Sequence, residues 1–247
     1  MYRHYENTVT ITRKDCSQLF FIYTGLKLRV GKVPALDFLK KTGLSNRNIV
    51  LMRDPYRAGF QLGITEAIHD LKSLIDWQAS QVLPHVREIY CIGNSGGALA
   101  ALVAGHRLKA RTVWSFATRP PPRKRWLYPP GRERKEVDNE LLSSRIGESN
   151  FDRFDRRLDL EALDEAVRTL SEDNGVTDYR LYYVSSNEPD SFVQECLSKC
   201  PRATPCAVEA PPEWSERDRR KNDHLVLSIL NARNELSTLI PAFASAQ

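Results

Sequence analysis

Hydrophobic residues recur along this chain with two periods, and the switches between them mark its elements. Residues 7–14 (NTVTITRK) alternate apolar and polar side chains after a turn-forming Asn7, which predicts a half-exposed strand. Residues 18–24 (QLFFIYT) run β-rich and apolar up to Gly25, the pattern of a strand buried on both faces. Pro34 to Gly43 (PALDFLKKTG) sets Pro at the start and Gly just past the end of a short amphipathic helix, with Ala35, Phe38, Leu39 and Thr42 on one face. An apolar strand follows at 48–52, with Arg53 and Asp54 at its C-terminal end. Ile64, Ala67, Ile68, Leu71, Leu74, Ile75 and Val82 keep helical spacing across 64–83 and predict one helix there, stopped by Pro84.

The alternation then continues. EIYCI at 88–92 reads as a strand, GALAALVAG as a wholly apolar helix that must be buried, and RTVWSFA at 111–117 as another strand. Residues 119–135 break the pattern: they are rich in Pro and Arg and carry neither period, and 136–158 are polar. Order returns with a helix over 159–175, a strand at 179–186 (YRLYYVSS), a helix over SFVQECLSK, a last strand at 203–210 and a C-terminal helix at 225–240. Strands alternating with helices predict an α/β fold, a mostly parallel central sheet with helices on both faces. The stretch 119–158 is too poor in apolar residues for a core of its own. The chain therefore reads as one α/β domain, 1–247, with a Pro/Arg-rich lid or cap insertion at 119–158.

Composition narrows the function classes. A chain of 247 residues buries a sizeable core without covalent staples. Its five cysteines are an odd number in a sequence without an export signal, which argues against a disulfide framework. Cys196, Cys200 and Cys206 cluster, but with no CxxC pair and no histidine among them they do not form a zinc pattern. The net charge of +5 is too small to imply nucleic acid, and aromatic residues do not recur among the charges as a stacking platform requires. No apolar run reaches bilayer length, and the N-terminal MYRHYENTVTITRKD lacks the apolar centre of a signal peptide, so the expectation is a cytoplasmic protein with no membrane span. No phosphate-cradling glycine fingerprint is present, and neither a metal nor a nucleotide cofactor is expected.

One short segment carries chemistry. Gly93-Asn94-Ser95-Gly96-Gly97 fits G-x-S-x-G, with a strand pattern before it and a helix pattern after it. A serine on so sharp a turn needs small neighbours, and the helix start beside it presents backbone N–H groups and a positive dipole end. With these residues the chain resembles the α/β-hydrolase family, of the serine hydrolase or thioesterase kind, from the strand before Gly25 to the C-terminal helix. The resemblance implies the chain order nucleophile, acid, histidine. Ser95 is then the nucleophile. His224, after the last strand and before the final helix, is the general base. Asp190, after the strand 179–186, is the acid, with Glu188 as its rival. Asp190 also stands where it could simply cap the following helix.

The resemblance further implies an oxyanion hole built from the Gly96 N–H and an N–H of the loop after FFIYTG, here that of Leu26; the family often has His-Gly in that loop, and this chain has Thr24-Gly25-Leu26. Gly25, Asn94, Trp126 and Tyr128 are the candidate substrate contacts, the two aromatics reading equally well as packing within the insertion. Arg53 and Asp54 read more readily as a turn or ion pair than as substrate contacts. The expected function is hydrolysis of an ester or thioester through an acyl-enzyme on Ser95. Acyl transfer or cyclisation through the same intermediate, a peptidase, and a non-catalytic binding protein of the same fold are the alternatives. Seven basic residues between Arg119 and Lys135, against the single acid Glu133, suit a CoA-bound, carrier-protein-bound or carboxylated acyl substrate, or an ordinary solvated loop.

Overall fold

A computed structural model describes residues 2–5, 7–24, 29–30, 33–56, 58–120, 160–185, 188–209, 211–215 and 226–240. The strands are β1 (Tyr2–Tyr5), β2 (Thr8–Ile11), β3 (Gln18–Thr24), β4 (Arg29–Val30), β5 (Val33–Pro34), β6 (Asn48–Arg53), β7 (Glu88–Asn94), β8 (Thr112–Phe116), β9 (Asp178–Val184) and β10 (Ala203–Val208). The helices are α1 (Ala35–Lys41), α2 (Leu71–Ser80), α3 (Gly96–Arg107), α4 (Leu160–Ser171), α5 (Glu188–Leu197), α6 (Val226–Ala232) and α7 (Leu236–Leu239). Eight strands form one sheet in the order β1-β2-β6-β3-β7-β8-β9-β10, while β4 and β5 pair separately. From β6 to β10 every pairing is parallel; β1 and β2 pair antiparallel at one edge. This is the mostly parallel sheet, with helices on both faces, that the sequence pattern predicts.

The period of two along each strand divides the core in two. Leu19, Phe21 and Tyr23 of β3 join Val50, Met52, Cys91 and Val113 on the face covered by α2 to α5. Phe20 and Ile22 join Ile49, Leu51, Tyr90, Ile92 and Trp114 on the face covered by α1, α6 and α7. Phe20, Phe21 and Ile22 have no exposed surface; each such side chain contributes about 1.5–3 kcal/mol of burial. Phe20 stacks on Tyr90, with ring centroids 4.7 Å apart. All five cysteines are free thiols.

Several boundaries differ from the sequence expectation. The helix expected over 64–83 is confined to Leu71–Ser80, because the Asp70 side chain accepts from Ser73 N and Ser73 Oγ accepts from Asp70 N, a reciprocal cap that sets the start. Ahead of it, Ile64 N and Thr65 N both donate to Ile68 O, so Ile64 and Ile68 reach the core from a closed loop rather than a helix. The helix expected at 225–240 is two helices, α6 and α7. Asn234 takes a left-handed conformation, φ 56°, and Glu235 N donates to Leu230 O across the break. The helix expected to reach Gly175 ends at Ser171, after which the Asp173 and Asn174 side chains accept from the N–H groups of Gly175, Val176 and Thr177. The helix expected to begin at Ser191 begins at Glu188. The strand expected over 7–14 is β2, shortened to Thr8–Ile11, and an unread strand, β1, pairs with it across a turn at Asn7 (φ 47°). From residue 121 onward the expected insertion lies outside the described residues. Among the described residues no helix is long and apolar enough to cross a membrane.

Candidate active site

All the parallel strands end on one edge of the sheet, and β7 delivers Ser95 there. Strand β7 runs through Gly93 and Asn94, and α3 starts at the next residue but one. Ser95 alone makes the junction, with φ 57° and ψ −127°. A side chain in so sparsely populated a conformation costs about 1–3 kcal/mol and persists only where its surroundings enforce it. Here they do. Ser95 N donates to Phe116 O at 2.9 Å, and Ser95 O accepts from Ala98 N at 3.0 Å and from Arg119 N at 3.3 Å.

The neighbouring glycines are a packing requirement. A Cβ on Gly93 would stand 2.5 Å from Ala98 Cα and Gly97 O, and one on Gly97 would stand 3.0 Å from Tyr23 O. The first turn of α3 therefore lies directly on β7 and β3. Gly96 is the first residue of α3, where an N–H has no intrahelical acceptor and the dipole favours negative charge. Its missing Cβ would meet Gly59 Cα at 3.4 Å. Ser95 keeps part of its surface exposed, while α3 behind it is buried from Gly97 to His106. The turn thus sets a partly exposed serine at a helix N-terminus beside the Gly96 N–H, an arrangement suited to nucleophilic attack and oxyanion binding.

Other sequence candidates sort as follows. Glu188 and Asp190 both lie in the first turn of α5, the helix after β9, so Asp190 sits inside the helix rather than capping it; their side chains lie outside the described residues. His224 lies outside them too, two residues before α6, a helix that packs against β9 and β10. Gly25, Leu26, Trp126 and Tyr128 also lie outside. Asn94 ends β7, paired in register with Phe116 of β8. Thr24, the last residue of β3, is buried and its Oγ1 donates to Met52 O at 2.8 Å, tying the end of β3 to β6. Among the described residues no group of His, Cys, Asp or Glu is arranged to hold a metal ion.

Asp54, at the end of β6, has the turn role. Its carboxylate accepts from Tyr56 N at 2.9 Å and Phe60 N at 3.1 Å. Burial pushes the carboxyl above its ordinary range, against the pull of backbone N–H groups at Phe60, Tyr56, Ala58 and Gly59. The segment so held reaches Gly96 through Gly59. The sequence reading missed this contact. The signal available was Asp54 followed by Pro55 and Gly59, a turn with a side chain able to accept from it.

No family model and no curated protein matches the sequence. Among solved structures, the chain is similar to a Pyrococcus furiosus esterase (14% identity, 94% of this chain and 84% of that one, TM-score 0.46). It is also similar to Est1E from Butyrivibrio proteoclasticus (11% identity, 96% and 98%, TM-score 0.49). A third is a thioesterase domain from the curacin biosynthetic pathway (9% identity, 85% and 92%, TM-score 0.44).

Proposed function

We propose that this chain is a serine hydrolase that cleaves an ester or thioester through an acyl-enzyme on Ser95. One observation carries the reading: Ser95 holds φ 57° and ψ −127° at a strand-to-helix junction walled by glycines. A turn needed only for compactness would relieve that strain with glycine.

In the proposed reaction His224 accepts the Ser95 hydroxyl proton as Oγ attacks the substrate carbonyl carbon. Asp190 accepts the N–H from the other ring nitrogen of His224, fixing its tautomer and stabilising the imidazolium. The N–H groups of Gly96 and Leu26 hold the oxyanion. Collapse of the tetrahedral adduct breaks the bond to the leaving alcohol or thiol, which takes the proton from His224. A water molecule, deprotonated by His224, then attacks the acyl-enzyme and returns Ser95 with a free acid.

The test is intact mass after exposure to a fluorophosphonate, which traps an activated serine by forming an Oγ–P bond with loss of fluoride. The expected result is one adduct on the unmodified protein, absent from Ser95→Ala and slowed by several orders of magnitude in His224→Ala. Labelling that persists in Ser95→Ala, or none in the unmodified protein, overturns the reading.

A further inference from the structure

Gly96, a proposed oxyanion donor, begins α3, and the first turn of that helix rests on β3. One buried side chain touches both α3 and β3. Phe60 has no exposed surface, and its ring meets Tyr23 of β3 edge-on, with centroids 5.2 Å apart and planes at 84°. The same ring puts Cε2 3.2 Å from where a Cβ on Gly97 would stand. The adjacent Gly59 borders Gly96. To reach this place the backbone takes positive φ twice in succession, 59° at Gly59 and 65° at Phe60. For Phe60 that conformation is strained. What holds it is Asp54: one carboxylate oxygen takes Tyr56 N–H and the other takes Phe60 N–H.

We propose that Asp54 is a positioning residue for the reaction at Ser95, acting through Gly59 and Phe60 to hold the first turn of α3, and with it the Gly96 N–H, against β3. This rests on the reading of Ser95 as a nucleophile. Both carboxylate oxygens are needed as acceptors. An amide in their place offers one acceptor and turns an N–H2 group toward the other backbone N–H, leaving a buried donor unmade.

Fluorophosphonate inactivation kinetics test this, since the phosphonyl oxygen occupies the oxyanion site. The variants are Asp54→Asn, which keeps the side-chain shape, and Asp54→Ala. Asp70→Ala serves as a control: it removes the cap of α2, and a merely structural loss of that size would appear there equally. In Asp54→Asn the limiting inactivation rate should fall about tenfold or more, with the half-saturating probe concentration changed by less than about threefold. Asp70→Ala should stay within about twofold on both. Amide hydrogen exchange of residues 95–98 should speed up in Asp54→Asn and not in Asp70→Ala.

If the unmodified protein labels at Ser95 and Asp54→Asn labels at the same rate, or Asp70→Ala loses as much, the positioning role is overturned and the nucleophile stands. If the unmodified protein does not label, both fall. Should Asp54→Ala fail to fold, Asp54→Asn alone decides.

Discussion

The backbone N–H of Ser95 donates to the carbonyl oxygen of Phe116 at 2.9 Å, so the last residue of β8 fastens the turn that ends β7. The parallel ladder continues one residue past the strand into a conformation that serine does not choose. The strain can be measured by comparing two inert variants. Ser95→Gly removes the Cβ that makes the conformation costly, whereas Ser95→Ala keeps it. The glycine protein should be more stable by about 1 kcal/mol, the relieved strain less the greater chain entropy of glycine. That is a rise in Tm of roughly 2–4 °C, readable by calorimetry. Equal melting points would mean the turn is unstrained.

The three glycines around the serine should rank by what an added methyl meets. Gly93→Ala drives a Cβ into the backbone of α3 at 2.5 Å, with no flexible side chain to yield. It should cost about 3 kcal/mol or more, or abolish soluble expression. Gly97→Ala, at 3.0 Å from Tyr23 O, should cost less. Gly96→Ala meets only ordinary contact at 3.4 Å and should keep its fold while reacting more slowly. Denaturant titration of the three variants checks the order.

His106, on the helix that begins at the serine, supplies a pH dependence of stability. Its Nδ1 is 2.7 Å from the Tyr179 hydroxyl, and Asn174 donates to its backbone oxygen at 3.0 Å. Burial holds the imidazole below its usual range, helped by Arg107 and opposed by Glu172 and Asp173. The folded protein therefore resists a proton that the unfolded chain accepts near pH 6.5. Stability attributed to this group is present above that pH and lost as pH falls toward the lowered folded value, with a slope of at most about 1.4 kcal/mol per pH unit. Urea titrations between pH 8 and 5 should show the decline, and His106→Gln should flatten it.

Helix α2 starts where the reciprocal bonds of Asp70 and Ser73 place it. Asp70→Ala should destabilise the protein by about 1 kcal/mol and leave reaction at Ser95 unchanged. Chemical denaturation beside fluorophosphonate labelling separates the two effects.

The strands β3, β7 and β8 are legible in the sequence because burial on both faces writes itself as a continuous apolar run. Ser95 is legible because strand, turn and helix are contiguous. What the sequence hides is tertiary. Ile64 and Ile68 have the spacing of a helix face, yet the Asp70 cap and the Ile68 carbonyl claim the backbone first. Tyr2–Tyr5 shows no alternation of its own and becomes a strand by pairing with β2. The contact of Gly59 with Gly96 joins the turn after β6 to the start of α3, and no local pattern announces it.

The strand order has a consequence for synthesis. Both partners of β3, β6 and β7, are made after it, and β2 bypasses it to pair with β6. A ribosome adding about 5–20 residues per second finishes β7 on the order of 4–14 s after β3. Until the second partner arrives, Phe20-Phe21-Ile22, wholly buried in the finished protein, keeps one unpaired, adhesive edge on a growing chain. Yield in a heterologous host should therefore respond to chaperones that sequester nascent strands, and chains truncated before residue 88 should aggregate rather than persist.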